Sequence, residues 1–414
     1  MVEGTRDLAV QGEVRQTFFT KLAAFRFLAA TAVFIAHAAL TIPFENVKVA
    51  GYTLFSAIPL GFTAVSFFLM LSGFVLTWSM RPGATFRSVI RRRLVRIFPS
   101  HLVCLALAVL VAYILRHQID LGPLFAQIFL VQTWFPDLSY LNNFNSQTWT
   151  LSAEIFFYLL FPVAFIVARR MGTRSLCTLI PVLIATIAAW SFVVLLLPLH
   201  GTPHPLATSN IPTFSGALND PVFVPDEKYL TTVTQFWAVY HFPIARLMEF
   251  VIGVSVAELM ARGVRFPPPT WLMVVMLSAT VGVGMFMPLV HVAAALVALP
   301  ALLFLLWGAS TERSGASKLF ARPIWITLGD LTFGFYLVHG VVLDVGHRFF
   351  GVTVVDGEET LRSWPTWEAC LWIAAAFAVS MALAWVLHTF VESPIMRRWG
   401  RRSATPVICD PPVR

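Results

Sequence analysis

Charged side chains are scarce in this sequence of 414 residues. Asp, Glu, Lys and Arg together make up 12%, whereas hydrophobic residues make up 58%, and the mean hydropathy is +0.77. A soluble domain needs far more polar surface, so the composition excludes an ordinary soluble enzyme and indicates a polytopic membrane protein. The formal net charge of +8 gathers in short segments between apolar runs. That pattern is typical of membrane topology and counts against a nucleic-acid partner.

Several motifs that would point to other chemistry are also missing. The sequence has no P-loop, no GxGxxG after a strand and no HExxH, and it has no internal repeat of the kind found in secondary transporters. The first 20 residues lack the apolar core and small-residue cleavage site of a signal peptide, so we expect the first span to remain in the protein. Neither a disulfide framework nor a metal site is predicted, because the four cysteines are scattered without CxxC spacing. They are Cys104, Cys177, Cys370 and Cys409.

Ten apolar segments are long enough to be candidate membrane spans. They predict an all-α integral membrane protein, a polytopic bundle of about ten transmembrane helices. The predicted spans are 21–42, 58–80, 101–116, 148–168, 176–197, 235–260, 270–288, 289–308, 324–349 and 368–390. The apolar segment 124–134 is too short to cross and is predicted to be interfacial or re-entrant.

Lysine and arginine predict the orientation of these spans, because cytoplasmic loops carry the excess of both residues. With ten spans and a cytoplasmic N-terminus, every basic cluster falls on the cytoplasmic side. The clusters are Arg81, Arg87, Arg91, Arg92, Arg93 and Arg96; Arg169, Arg170 and Arg174; Arg262 and Arg265; Arg313, Lys318 and Arg322; and Arg397, Arg398, Arg401 and Arg402. The opposite loops, 198–234 and 350–367, are poor in basic residues.

These features predict three parts of the chain. We expect a cytoplasmic N-terminal segment (1–20), a transmembrane domain (21–392) and a basic cytoplasmic tail (393–414). Both termini are expected in the cytoplasm of a bacterial-type cell, and the protein is expected to be multi-pass in the inner (plasma) membrane.

Two ionisable residues, Arg26 and His37, lie inside the first predicted span. They are 11 residues apart, which is about three helical turns, so they share one helix face about 16 Å apart in depth. An ionisable group in hydrocarbon is energetically costly, and this favours a functional site. The structural alternative is that Arg26 extends to the headgroups and His37 makes a contact within the bundle.

Glu154 lies about one turn inside the fourth predicted span, on the same outer side as His37. A carboxylate at that depth should face the bundle and have a partner, and His37 is the expected one. The alternative is a purely structural contact between two helices. On the cytoplasmic side, Arg93 and Arg96 are spaced i,i+3 and share a helix face, which suits a ligand that bears several phosphates. The alternative there is a topology signal alone.

Three further polar pairs recur at helical spacing. They are Arg246 with Glu249, Tyr336 with His339, and His388 with Glu392. We expect the first and the third to be internal structural contacts rather than catalytic groups.

Six motifs, in the right order, resemble the membrane acyltransferase 3 family and together cover almost the whole chain. They are Arg26-x10-His37; Phe67-Phe68-Leu69-Met70-Leu71-Ser72-Gly73-Phe74; Arg93-x-x-Arg96-Ile97-x-Pro99; Trp149-x-Leu151-Ser152-x-Glu154-x-x-Phe157-Tyr158; Gly329-x-x-Thr332-x-x-Phe335-Tyr336-Leu337-x-His339; and Glu392-x-Pro394. There are departures from the family pattern. Many members have an Asp three residues before the first-helix Arg, where this chain has Ala23, and the late motif has Thr332-Phe333 where Ser-Tyr is common. No esterase-like domain follows in this sequence, so transfer is expected to finish within the membrane domain or on a separate protein.

The resemblance implies an acyl-CoA-dependent O-acyltransferase. It would move an acyl group, usually acetyl, from cytoplasmic acyl-CoA to a hydroxyl of a carbohydrate such as an exopolysaccharide, an O-antigen or a lipid-linked sugar. Acyl-CoA would be a co-substrate, and no bound cofactor is expected. The alternative acceptor is a macrolide or another glycosylated secondary metabolite. The alternative of another class is a proton-coupled transporter or flippase, which the missing repeats disfavour.

The resemblance also implies roles for the polar residues. His37 is expected to be the general base, because its ordinary pKa suits that task, and Glu154 would orient it or support its charge. Arg26 would bind a phosphate or stabilise oxyanion charge. The expected acyl-CoA contacts are Arg93, Arg96 and Arg91, and the candidates for an acceptor site or a structural role are Ser72, Trp149, Ser152, Tyr336 and His339. Direct attack on the thioester and an acyl-His37 relay both remain open.

Overall fold

The structure is a computed structural model, and it describes most of the chain. The described residues are 2–41, 44–80, 84–114, 118–199, 201–202, 232–265, 267–284, 294–309, 319–320, 322–350, 352–355, 358–361 and 364–399. Within them the chain is helical apart from turns and one two-stranded hairpin. This agrees with an apolar environment, in which a helix satisfies every backbone hydrogen bond within one segment.

The helices follow one another along the chain with short connections. They are α1 Val2–Thr41, α2 Val47–Ser79, α3 Phe86–Ile114, α4 Leu121–Ile128, α5 Leu138–Leu141, α6 Trp149–Arg170, α7 Thr173–Leu196, α8 Val233–Phe236, α9 Pro243–Ala261, α10 Thr270–Gly284, α11 Ala298–Gly308, α12 Ile324–Phe350, α13 Thr366–Leu387 and α14 Ser393–Trp399. Short 3₁₀ turns occupy Gln132–Trp134 and Ser146–Thr148, and π-helical turns occupy Trp237–His241 and His388–Glu392. Strand β1, Val352–Val355, pairs antiparallel with β2, Glu358–Leu361, and places Val352 opposite Leu361.

Seven helical segments among the described residues are long and apolar enough to cross a membrane. They are Thr20–Thr41, Ser56–Ser79, Phe86–Ile114, Ser146–Arg170, Thr173–Leu196, Ile324–His347 and Thr366–Trp399. Each overlaps a predicted span, so a membrane bundle is consistent with the fold. The segment 121–134 forms α4 and a 3₁₀ turn and does not cross, in agreement with the prediction for 124–134.

The count of ten spans is not confirmed. Two of the other predicted spans are shorter apolar helices, Thr270–Val283 and Ala298–Gly308, and residues 285–293 between them lie outside the described residues. The predicted span 235–260 is divided by a π-helical turn before α9, which buries the charged residues Arg246 and Glu249. The orientation stays a prediction, because much of the loops and termini on which it depends, including 203–231, 310–318 and 400–414, lies outside the described residues.

Helix α2 is the most deeply buried of the seven spans and packs against α1, α9 and α11. Its crossing with α9 is made by two glycines. A Cβ at Gly73 would overlap the carbonyl oxygen of Phe250, and a Cβ at Gly253 would overlap that of Met70. Small residues at a helix interface allow this close backbone approach in membranes. Helix α12 packs against α1 and against α13.

Two of the predicted side-chain pairs form. Arg246 Nη2 lies 3.1 Å from Glu249 Oε2, with 2% and 1% of the two side chains exposed, and the same nitrogen donates to Ser66 Oγ at 3.2 Å. At the end of α13, His388 Nδ1 lies 3.4 Å from Glu392 Oε2. Both predicted internal contacts are therefore confirmed.

Candidate active site

Two cavities lie along α1, one beside Arg26 and the other beside His37. They enter the bundle from opposite ends, because residues 89–97 at the beginning of α3 line the first and residues 108–112 near its end line the second. Helix α1 is continuous between them and separates the two side chains by about 16 Å along its axis. We call them the arginine cavity and the histidine cavity.

The arginine cavity has a volume of about 340 Å³. Its described charged lining residues are Arg26, Arg92, Arg93, Arg96 and Glu154. Arg93 and Arg96 reach it together because their i,i+3 spacing puts them on one face of α3. Arg26 approaches from α1 and is within electrostatic range of both. Four guanidinium groups against one carboxylate give this cavity a net positive charge.

The predicted donor contacts are only partly brought together. Arg93 and Arg96 line the arginine cavity, but Arg91 is exposed on α3 and does not line it. Arg92, which was not predicted as a contact, lines the cavity instead. The Arg96 guanidinium also lies over the Phe333 ring, 5.7 Å from its centroid, and this contact helps to fix its position.

The expected partnership of Glu154 with His37 is wrong. Glu154 lines the arginine cavity and accepts a hydrogen bond from Tyr158 Oη at 2.7 Å. The reason is the position of Glu154 along α6. Gln147, just before the helix, lies at the level of His37 and lines the same cavity. Glu154 lies one to two helical turns further along the chain and lines the other cavity.

The histidine cavity is larger, about 700 Å³. It is lined by the second half of α1, the end of α3, the loop 142–147 and α12. Its polar lining residues include Thr41, Gln118, Asn142, Asn143, Ser146, Gln147 and Asp344 beside His37. The cavity therefore offers hydroxyl and amide groups, which both donate and accept hydrogen bonds.

His37 is held by a second histidine. His37 Nδ1 lies 2.9 Å from Nε2 of His339, and the two ring planes are nearly parallel, with centroids 5.2 Å apart and an interplanar angle of 11°. His339 is fully buried between the rings of Phe34 and Phe335. Its other nitrogen, Nδ1, lies 3.1 Å from the carbonyl oxygen of Phe335.

This chain of contacts assigns the tautomers of both histidines. The carbonyl of Phe335 can only accept, so Nδ1 of His339 carries the proton and donates to it. Nε2 of the neutral His339 ring is then the acceptor, and His37 Nδ1 donates to it. His37 Nε2 is left with an unprotonated lone pair, and no described residue occupies it. A neutral imidazole with a free Nε2 at a cavity wall can take a proton or act as a nucleophile.

A thin partition separates the two cavities. Tyr336 lines the arginine cavity, and its Oη lies 3.0 Å from the carbonyl oxygen of Gln147, a residue that lines the histidine cavity. The same hydroxyl lies 3.0 Å from Thr150 Oγ1. The Gln147 side chain packs directly on Gly340, where any Cβ would overlap its amide group. The two cavities therefore approach each other across one layer of side chains.

The other predicted residues are distributed between the site and the core. Ser72 and Tyr336 line the arginine cavity. Trp149 is buried against Tyr240 and His241. Ser152 is buried and pairs with Thr133, with 2.6 Å between their hydroxyl oxygens. The structure thus places Trp149 and Ser152 in packing positions outside both cavities.

The sequence interpretation missed the loop residues of the histidine cavity, above all Asn143, Phe144 and Gln147. The available signal was the polar run of residues 142–148 immediately before the Trp149 motif. No group of three or more His, Cys, Asp or Glu residues within the described ranges is placed to hold a metal ion.

Comparison with known proteins adds two findings. A sequence model described as an acyltransferase domain matches residues 19–389. The acyltransferase MdmB from Streptomyces mycarofaciens is 32% identical over 398 residues, which covers 94% of this chain and 95% of MdmB. No solved structure matches the chain.

Proposed function

Because this chain belongs to the acyltransferase domain family, we propose that it is a membrane O-acyltransferase that moves an acyl group from cytoplasmic acyl-CoA to a hydroxyl of a carbohydrate. Membership confirms the family that the six motifs indicated. The acceptor is an exopolysaccharide, an O-antigen or a lipid-linked sugar, and the alternative is a macrolide or another glycosylated secondary metabolite. Each of these presents a sugar hydroxyl. The transporter alternative loses its support, because the family match extends over nearly the whole membrane domain.

The arginine cavity is the proposed donor site. Coenzyme A carries several phosphates, and arginine pairs with phosphate oxygens through two parallel hydrogen bonds. Arg93 and Arg96 project into the cavity from α3, and Arg26 meets them from α1. The long pantetheine arm of the donor can then extend toward the Tyr336 partition and bring the thioester near the histidine pair.

The histidine cavity is the proposed acceptor site, and His37 is the proposed general base. As the acceptor hydroxyl oxygen attacks the thioester carbonyl carbon, His37 Nε2 takes the hydroxyl proton. The C–S bond then breaks, the ester forms, and the imidazolium returns the proton to the departing thiolate of coenzyme A. Removing a proton from the nucleophile is required because a hydroxyl is a poor nucleophile at neutral pH.

His339 is a positioning residue in this mechanism. By accepting from His37 Nδ1, it holds His37 in the tautomer whose lone pair points away from the pair. The same lone pair serves the acyl-His37 relay. In this route Nε2 attacks the thioester first and the C–S bond breaks to release the coenzyme A thiolate. The hydroxyl then attacks the acyl-imidazole, the ester forms as the C–N bond breaks, and the hydroxyl proton ends on the thiolate. The two routes differ in whether an acylated His37 can be trapped before the acceptor is added.

The observation that carries the proposal is the hydrogen-bonded chain from the Phe335 carbonyl through His339 to His37, one side-chain layer from an arginine-lined cavity.

The test is acetyl-CoA consumption by the purified full-length protein in lipid nanodiscs. Free thiol release is followed together with transfer of a radiolabelled acetyl group to two kinds of acceptor, isolated cell-surface polysaccharide and a glycosylated macrolide. We expect thiol release that depends on one acceptor and is absent in His37→Ala, with His388→Ala as the matched histidine control. Labelled polysaccharide would support the primary acceptor, and labelled macrolide would support the alternative. A protein that binds acetyl-CoA but releases no thiol with any acceptor would contradict the proposal.

A further inference from the structure

The loop 142–147 connects α5 to α6 and forms one wall of the histidine cavity. Phe144 and four polar residues of this loop line the cavity. Hydrogen bonds to two other segments of the chain hold this loop. Asn145 Nδ2 donates to the carbonyl oxygen of Leu337 at 2.9 Å, two residues before His339. The buried side chain of Gln127 donates to the carbonyl oxygen of Asn143. The loop is therefore held in a fixed position relative to the histidine pair.

Phe144 has an unusual backbone conformation within this loop. Its φ of +48° is in the left-handed region, which a bulky side chain rarely adopts. The conformation is supported by Asn143 Oδ1, which accepts from the Phe144 amide at 2.9 Å. Phe144 is one of the lining residues of the cavity. Such strain persists only where the surroundings fix it, and it is concentrated at ligand sites.

The charge of the cavity restricts what it can hold. None of its described lining residues is Lys or Arg, whereas Asp344 is one of them. A carboxylate or phosphate on a ligand would enter without a cationic partner, and burial of an unpaired anion is costly. The amides of Asn142, Asn143 and Gln147 can each donate to and accept from hydroxyl groups. A volume of about 700 Å³ is within the range of small-molecule sites.

We infer that the loop 142–147 selects the acceptor, and that it selects an uncharged sugar ring. The Phe144 ring packs against the apolar C–H face of the sugar, the amides pair with its hydroxyls, and one hydroxyl is thereby directed to His37. Sugars that carry a carboxylate on the ring are rejected. This inference deepens the proposed function and rests on it.

Binding measured without acyl-CoA tests the inference apart from catalysis. Saturation-transfer NMR on the full-length protein in nanodiscs would use the methyl glycosides of glucose, galactose, mannose and rhamnose, with the matching uronates for the first three. We expect at least one neutral glycoside to bind, and its uronate to bind at least tenfold more weakly. Equal binding of a sugar and its uronate, or no binding by any neutral glycoside, would overturn the inference.

The Phe144→Gly variant tests the ring itself. Glycine adopts the left-handed conformation without strain, so the loop should keep its shape while the stacking surface is lost. We expect about tenfold weaker binding of the neutral glycoside, with thermal unfolding unchanged and acetyl-CoA binding intact. Phe125→Ala, which alters an exposed phenylalanine on α4, is the matched control and should bind as the wild type does. Unchanged glycoside binding by Phe144→Gly would overturn the role of the ring, and a protein that binds glycosides yet consumes no thioester would contradict only the proposed function.

Discussion

The two cavities on α1 are built in opposite ways. The arginine cavity is small, positively charged and formed by side chains at regular spacing on helices. The histidine cavity is about twice as large, combines apolar side chains with hydroxyl and amide groups, and takes one wall from an irregular loop. One helix contributes Arg26 to the first and His37 to the second. Under the proposed function, charge would bind one substrate, and shape and hydrogen bonding would bind the other.

This difference indicates which kinetic constant each cavity controls. Contacts to phosphates that do not react stabilise the bound donor and its transition state equally, so their loss raises KM. A proton acceptor acts as the nucleophile forms, so its loss lowers kcat. Four substitutions, taken from the largest expected effect to the smallest, test this separation.

His37→Ala removes the proposed base and should lower kcat by about 10²- to 10⁴-fold. The affinity for acyl-CoA should be unchanged, because the arginine cavity is intact. Single-turnover thiol release and equilibrium binding of acetyl-CoA measure the two quantities on one preparation. Near-wild-type turnover would leave His37 as a structural contact of the bundle.

Arg93→Ala should act on the other cavity and raise the KM for acyl-CoA by about 10- to 150-fold, which corresponds to the loss of one charge-assisted hydrogen bond of about 1.5–3 kcal/mol. The KM for the acceptor should stay unchanged. Arg87→Ala, an exposed arginine in the first turn of the same helix, is the control for a general loss of positive charge. A donor KM that is the same in both variants would make this cluster a topology signal only.

His339→Leu should lower kcat by about 10- to 100-fold, the range known for removal of a group that orients a metal-bound histidine. His339→Gln should retain more activity, because its amide oxygen can still accept from His37 Nδ1. Measuring kcat for both variants, at matched thermal stability, separates the orienting role of His339 from its packing role. Equal decreases in kcat for His339→Leu and His339→Gln would show that His339 contributes only by filling space.

Glu154→Gln should have the smallest effect of the four, and it should change the KM for acyl-CoA in the opposite direction from Arg93→Ala. The carboxylate opposes the positive charge of the arginine cavity, so its neutralisation should lower the KM for acyl-CoA by about two- to fivefold, or ~0.4–1 kcal/mol. Glu258→Gln, which alters the partner of Arg262 at the surface end of α9, should leave that KM unchanged. An increase in the donor KM of Glu154→Gln would mean that Glu154 binds the donor directly.

The helices and the arginine cavity could be predicted largely from the sequence, because both depend on local spacing. Hydropathy locates the seven apolar spans, and the i,i+3 rule places Arg93 and Arg96 on one face. The ten-span count depended on segments such as 235–260, where a π-helical turn and a buried ion pair interrupt a run that composition alone makes continuous.

The histidine cavity could not be predicted in the same way. His37 and His339 are 302 residues apart in the chain, and no periodicity relates them. The choice of Glu154 as the partner of His37 assumed that α6 begins with its acidic residue at the outer level. The polar loop 142–147 occupies that level instead, and its shape depends on long-range contacts with Gln127 and Leu337.

The partition at Tyr336 has a consequence for the cell as well as for the reaction. Two water-accessible cavities that enter a membrane protein from opposite ends, with a histidine near their meeting point, would conduct protons if their water became continuous. Each proton that crosses dissipates about 2.3 kcal/mol per 100 mV of membrane potential. The hydrogen bonds from Tyr336 to Gln147 and Thr150 lie in the layer that separates the two cavities. Under the proposed function, the layer between donor and acceptor would thus also have to act as an ion barrier.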